Sequence, residues 1–316
     1  MNDVLTNFLL WSGNMVLALV ISPLLIGIIN KTKAFFAGRQ GPRLLQLYYD
    51  LAKLLKRSSV YSRSTSAVFR IAPCCVLAAS CMMLLLLPAA CVKSPFNFIG
   101  DMILFVYLAG IARMLTVLAA METASAFEGM GSSRECQFAI LAEGVLLAVL
   151  AALVMLTREF SLSGCLVTLK LNAWLSGGTS LLFLAVAFYL VMLCENCRVP
   201  VDDPETHLEL TMIHEAMILD NSGPDLALIH YAAALKLWVF LSFLASLILP
   251  DLGNWMVWEF VIYYALIFLL TISIGVVESV MARYRFRKVP QFLAGALAVA
   301  LLAIVLAAVF GGNWTK

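Results

Sequence analysis

At 316 residues the chain has the length of two ordinary domains. However, 63 % of it is apolar and 13 % charged, against usual values of about 45–50 % and about 25 %. A water-soluble fold cannot cover that much apolar surface, which argues against a soluble enzyme, a nucleic-acid binder and a disordered chain. Twenty-one Lys and Arg against nineteen Asp and Glu leave a charge near zero and point to no polyanionic partner.

A helix crossing a bilayer needs about 20 apolar residues, because each adds about 1.5 Å against a core of about 30 Å. Runs of this kind lie near 8–29, 69–92, 101–121, 137–157, 179–197, 227–250, 258–280 and 290–311. In lipid the backbone must pair within each segment, so every run is expected to be a helix. The predicted fold is all-α, a polytopic membrane protein with about eight transmembrane helices in one membrane domain, 1–316. The first run does not read as a cleaved signal peptide, since Asp3 precedes it and a basic stretch follows. After Gly41-Pro42, apolar residues recur at Leu44, Leu47, Tyr48, Leu51, Leu54 and Leu55, with Gln46, Asp50, Lys53 and Arg57 opposite. That spacing predicts an amphipathic helix on the membrane surface with Pro42 in its first turn. A plain interfacial anchor would show the same pattern.

Fifteen basic residues fall on one side of the spans, most of them between Lys31 and Arg70 or between Arg283 and Lys288, and four on the other. This bias directs both termini outward and the loops after spans one, three, five and seven to the cytoplasm.

Residues 195–226 break the apolar pattern. Glu195, Asp202, Asp203, Glu205, Glu209, Glu215, Asp220 and Asp225 stand there with one basic residue, Arg198. A solvated acidic loop is one reading. The other is a folded segment with a helix from about Glu205, because Val199, Val201, Leu208, Met212, Ile213 and Met217 interleave the acids. Arg198 is expected to hold this loop by pairing with Glu195 or Asp202. Crowded carboxylates near low dielectric repel one another and become able to exchange protons. Within the spans, Arg113, Glu143, Lys236 and Glu278 each cost about 3 kcal/mol at the bilayer centre, so they should face protein or a wet path. Buried ion pairs and a proton route use the same residue types, and both stay open here.

Cysteine offers no framework. Cys74, Cys75, Cys81, Cys91, Cys136 and Cys165 sit in or beside apolar runs, as small hydrophobes do. Cys194 and Cys197 form a lone CxxC, and His207 and His214 follow at no usual zinc spacing. No metal is expected in this chain, nor an iron–sulfur cluster, which takes about four cysteines.

Four ordered motifs carry a resemblance over nearly the whole chain. Arg39-Gln40-Gly41-Pro42-Arg43, running through Gln46 and Asp50 to Lys53-Leu54, is the first. Gly131-Ser132-Ser133-Arg134-Glu135 leading to Glu143 is the second. The third is Glu195-Asn196-Cys197-Arg198-Val199-Pro200-Val201-Asp202-Asp203-Pro204-Glu205, continued by Glu209-Leu210. Glu278 with Met281-Ala282-Arg283-Tyr284-Arg285 closes the set. Together they resemble subunit 1 of respiratory complex I and its counterpart in formate hydrogenlyase and hydrogenase-4-like membrane-bound [NiFe] hydrogenases. The first loop and the closing motif are similar to the hydrogenase branch, whereas Arg198 is similar to complex I. Val201 and His207 replace the family's usual Phe and Glu.

The resemblance implies a membrane-anchoring, ion-translocating coupling subunit in a bacterial or archaeal inner membrane. Its implied partners are a hydrogenase-type large subunit, an iron–sulfur small subunit and antiporter-like membrane subunits, with Fe–S clusters and a NiFe centre held by those partners. On this reading Glu143, Glu195, Asp202, Glu205, Glu209, Asp220, Lys236 and Glu278 form the proton path. Arg39, Gln46, Asp50, Lys53, Arg134 and Arg198 line a quinone-like cavity or dock the soluble arm. The chain itself performs no bond chemistry. A quinone-reactive complex I-type subunit and a redox-independent ion transporter are the competing readings.

Overall fold

The computed structural model describes residues 2–62, 65–90, 92–169, 171–202, 212–249 and 256–310. Eight helices among them are long and apolar enough to cross a membrane. The first is α1 (Asn2–Phe36), whose 35 residues reach about 52 Å at 1.5 Å each. It therefore projects beyond the bilayer. The surface helix α2 (Gln46–Leu55) follows and contains no buried residue. It starts later than the sequence suggests, so Pro42 lies in the stretch before the helix and not in its first turn. Two contacts hold that approach in place. The position of a Cβ on Gly27 is taken by the Leu44 carbonyl, and that of one on Gly41 by Ala34.

Helix α3 (Ala67–Leu86) is capped by Ser66, whose hydroxyl accepts from the Val68 amide at 3.2 Å. It stops short of 92 because Leu87 turns extended ahead of Pro88, a residue that cannot continue a helix. Next come α4 (Asp101–Glu122) and α5 (Ala126–Thr157). α5 begins eleven residues before the apolar run at 137 does, because Glu128 and Ser132 in its polar first turns are buried against protein. A short α6 (Leu162–Thr168) is tied to the start of α4 through Asp101, which accepts from the Leu162 amide at 2.6 Å and the Ser161 hydroxyl at 3.0 Å. The remaining elements are α7 (Leu171–Glu195), the single turn α8 (His214–Met217), α9 (Gly223–Ile248), α10 (Met256–Val280) and α11 (Val289–Phe310).

α9 is the axis of the bundle, and nearly every side chain from Ala234 to Leu247 is buried. α1, α3, α7 and α10 surround it; α4 packs on α3, α5 packs on α4 and α7, and α11 closes the seam between α5 and α7. Elsewhere the outer surface is apolar, with Val16, Ile103, Ile140, Leu269 and Val305 more than half exposed. Such a surface needs lipid or partner protein around it.

The acidic segment is not a solvated loop where it is described. After α7 the chain folds back into the bundle, and Arg198, Val199, Val201, Asp202, Met212 and Ile213 are all buried. Residues 203–211, including Glu205 and Glu209 and the start of the expected helix, lie outside the described residues. From 212 onward the only helix before α9 is the single turn α8.

Candidate functional site

Four helices, α4, α5, α7 and α9, bring opposite charges together inside the bundle. Arg113 of α4 places Nη2 2.7 Å from Glu195 Oε1 and 3.5 Å from Glu143 Oε1, and its Nε 3.8 Å from Glu135. From α9, Lys236 Nζ donates to Glu195 Oε2 at 3.0 Å and to the Glu195 carbonyl at 2.8 Å. The Glu195 side chain is completely buried. A lone carboxylate there would be prohibitively costly, so two cations and their hydrogen bonds are what permit it. The result is a row, Glu143–Arg113–Glu195–Lys236, with Glu135 beside it.

The row borders an internal cavity of about 80 Å³ lined by Arg113, Glu135, Glu195, Cys197, His214 and Lys236 among others. A cavity of that size and polarity accommodates several waters, each needing roughly 10–15 Å³. His214 sits on α8, outside the spans. Burial, with His230, Lys236 and Arg198 adding to it, pushes its imidazole down to about 4. The unfolded chain therefore takes up a proton near the ordinary 6.5 while the folded one resists it. Stability present above that pH should fall as pH drops from 6.5 toward 4. The fall is expected to be smaller in His214→Gln when unfolding temperatures are compared across that window in detergent. Burial likewise pushes the Cys197 thiol well above its usual value, which opposes its use as a thiolate ligand or nucleophile. Among the described residues no group of three or more His, Cys, Asp or Glu is placed to hold a metal.

Toward the end of the bundle where Asp101 meets α6, the row meets a wall of rings. Phe105, Phe188, Phe240 and Phe243 are fully buried, and their centroids lie 4.3–6.0 Å apart across α4, α7 and α9. Each belongs to a helix that also carries a charge of the row, about 6–12 Å further along its axis at 1.5 Å per residue. Lys236 Nζ is 5.8 Å from the Phe240 centroid. At the other end of the row the Glu143 side chain is 41 % exposed. It opens onto an α4/α5 face that also exposes Tyr107, Ile111, Met114, Ile140 and Leu147.

A second cluster lies where α7 and α10 end. The side chain of Glu278, wholly buried on α10, has Lys33 at 3.3 Å and Arg198 at 3.5 Å. Arg198 thus reaches Glu278 and not the neighbouring acids the sequence suggested, since Glu195 is held by Arg113 and Lys236, and Asp202 by Arg283 at 2.8 Å. Asp202 also accepts from the amides of Ile213 at 3.3 Å and His214 at 3.0 Å, tying the two described ends of the loop together. Arg134 donates to the Met212 carbonyl at 3.0 Å and lies 4.2 Å from the Phe286 centroid, so it braces the same loop. Close approach of α5 there depends on Gly131, where a Cβ would meet the Ile213 carbonyl at 2.9 Å.

The expected proton-path residues therefore separate. Glu143, Glu195 and Lys236 share one row. Asp202 and Glu278 belong to the loop braces, and Asp220 is exposed, its amide donating at 3.0 Å to the buried Glu128. The expected docking residues separate too. Arg39 lines a cavity of about 490 Å³ with Lys33, Gln40 and Glu278. Asp50 and Lys53 line another against α1 and α9, and Gln46 donates to Asp50 at 3.0 Å. Arg113 as the hub, Glu135 and His214 beside the same cavity, and Glu128 under Asp220 were not among the expected site residues. Only an arginine in the middle of an apolar run hinted at the first.

Residues 11–308 match the family model described as NADH dehydrogenase. Hydrogenase-4 component C of Escherichia coli (strain K12) is 30 % identical over 277 residues, covering 86 % of each chain. Formate hydrogenlyase subunit 4 of the same organism is 30 % identical over 292 residues, 90 % of this chain and 94 % of that one. In three dimensions the chain superposes on one from an archaeal respiratory membrane complex, the membrane-bound sulfane sulfur reductase. That match has a TM-score of 0.81 and 16 % identity over 96 % of this chain and 99 % of the other, and shows a shared fold. The eight spans, the intramembrane charges and these matches together establish that the chain is a multi-pass membrane protein belonging to the NADH dehydrogenase subunit 1 family, related to hydrogenase-4 component C and formate hydrogenlyase subunit 4.

Proposed function

We propose that this chain is the membrane-anchoring, ion-translocating coupling subunit of a complex I-like energy-converting hydrogenase complex in a bacterial or archaeal inner membrane. The observation that carries this reading is the buried row from Lys236 to Glu143, closed outward by four phenylalanines and open sideways at a carboxylate. A proton arriving from the cytoplasmic cavity finds two carboxylates, Glu195 and Glu135, whose cations set how readily each is protonated. It has no polar group to step onto among the rings. Glu143, reached through Arg113, is the way out. A half-exposed carboxylate facing hydrocarbon is costly, so the α4/α5 face is covered by an antiporter-like membrane subunit that continues the row.

The soluble arm docks on the cytoplasmic face, over Arg39, the braces Arg134 and Arg198, and the loop containing Asp202, Glu205 and Glu209. It consists of a hydrogenase-type large subunit and an iron–sulfur small subunit, which hold the Fe–S clusters and the NiFe centre. Charge changes in the arm act on Arg198 and Asp202. Through the short backbone link from Arg198 to Glu195 they bias the row. The names of the relatives, components of hydrogenase-4 and of formate hydrogenlyase, support an assembly of this kind.

Glu143→Gln in the assembled complex is expected to lower ions moved per turnover by at least about tenfold, because a carboxamide cannot accept and release the proton. Redox turnover should persist, read in vesicles with a pH-sensitive dye. Unchanged ion uptake would remove Glu143 from the path. Purification in mild detergent tests the wider reading: metalloprotein partners should accompany the chain, whereas a self-sufficient transporter would emerge alone.

A further inference from the structure

A groove of about 500 Å³ between α1, α2 and α9 takes no part in the charge row. It is lined by Asn30, Leu47, Asp50, Lys53, Leu54, Arg57 and His230. We propose that it binds the phosphate headgroup of an anionic phospholipid from the cytoplasmic leaflet.

Charge is the first argument. Asn30, Lys53 and His230 come from α1, α2 and α9, Arg57 comes from the turn after α2, and all four carry N–H donors. The single acid is Asp50, and one of its oxygens already accepts from Gln46. Among the described residues neither Lys53 nor Arg57 has an ion-pair partner. Unpaired cations converging on a concave site suit a phosphate, which accepts from several donors at once.

Position is the second argument. α2 buries none of its residues, and Leu44, Leu45, Tyr49 and Leu55 are 45–58 % exposed. Such a helix rests its apolar face in lipid. The Tyr48 hydroxyl donates to the Val20 carbonyl, which fixes α2 against α1. Beyond that bond α1 turns Val16 and Val20, 61 % and 59 % exposed, outward, an apolar wall for an acyl chain rising from the groove. His230 lies seven residues into α9, about 10 Å below its cytoplasmic end, near the depth at which headgroup phosphates give way to hydrocarbon. The excess of basic residues places this end at the cytoplasmic leaflet, whose anionic lipids attract such cations. A peptide or a soluble anion would use the charges and leave the apolar rim uncovered.

The test uses the full chain in detergent, loaded with phosphatidylglycerol or phosphatidylcholine, with retained lipid counted by native mass spectrometry. Phosphatidylglycerol should be retained preferentially. The double variant Lys53→Gln, Arg57→Gln should weaken that retention about 30-fold, the product of two surface cations. Lys56→Gln, outside the groove, should leave it unchanged, and Lys53→Arg with Arg57→Lys should keep it, which separates binding from folding. Equal retention of both lipids, or equal loss in the Lys56 variant, would overturn the site. Inorganic phosphate displacing the lipid at millimolar levels would show the phosphate chemistry but overturn the lipid as occupant. A short-chain quinone bound there without any lipid preference would overturn it as well.

Discussion

Arg113→Leu should lower the stability of the folded chain by about 3–5 kcal/mol, the usual cost of removing one partner from a buried ion pair. Nothing else in α4 can replace it. Glu195, with no exposed side-chain surface, would keep only Lys236, and Glu135 and Glu143 would lose the cation they face. Arg113→Lys should fall in between, because an ammonium keeps the charge but cannot present a fork to several carboxylates at once. Thermal unfolding of the purified chain in a single detergent is the measurement. If Leu and Arg melted together, the row would not be an energetic unit. Adding Glu195→Gln to Arg113→Leu should recover part of the loss, since the uncompensated charge is then gone.

Loss of the Asp202 carboxylate is expected to be almost as costly, but for a different reason. Its oxygens satisfy the Ile213 and His214 amides and face Arg283 at 2.8 Å. Asp202→Ala would strand two buried N–H groups and a guanidinium, at about 1–3 kcal/mol for each unsatisfied group. Asp202→Asn keeps an oxygen for the amides but leaves Arg283 uncompensated. It should therefore be milder in thermal unfolding yet nearly as damaging to docking of the arm, read as co-purification of metalloprotein subunits. Equal assembly of wild type and both variants would dissociate this loop from docking. The ordering of Ala below Asn below wild type in protease resistance around 196–216 checks the geometric part independently.

These effects lie where sequence reasoning was weakest. Arg198 shows why. Adjacent acids at 195 and 202 made local pairing the natural expectation, yet the loop folds inward and presents Arg198 to Glu278, eighty positions away. Arg113 meets Glu195 across 82 positions, and Lys236 meets it across 41. A contact of that range leaves no trace in spacing, since it depends on how helices are arranged around α9. The early start of α5 has a related cause. Its first turns are polar and fall below any hydropathy threshold, although Glu128 and Ser132 bury themselves in protein.

The sequence by itself determined that the chain spans a membrane eight times, which helices do so, and that a few ionisable residues sit in lipid at a cost needing compensation. Those properties follow from transfer free energy, summed residue by residue along one segment. Only the tertiary structure decided which charge compensates which, that the acidic segment turns inward, and that a row opens sideways at Glu143 while phenylalanine rings close it along the helices. Electrostatic energy depends on distance in space, and the helices that set those distances meet only once the bundle has formed.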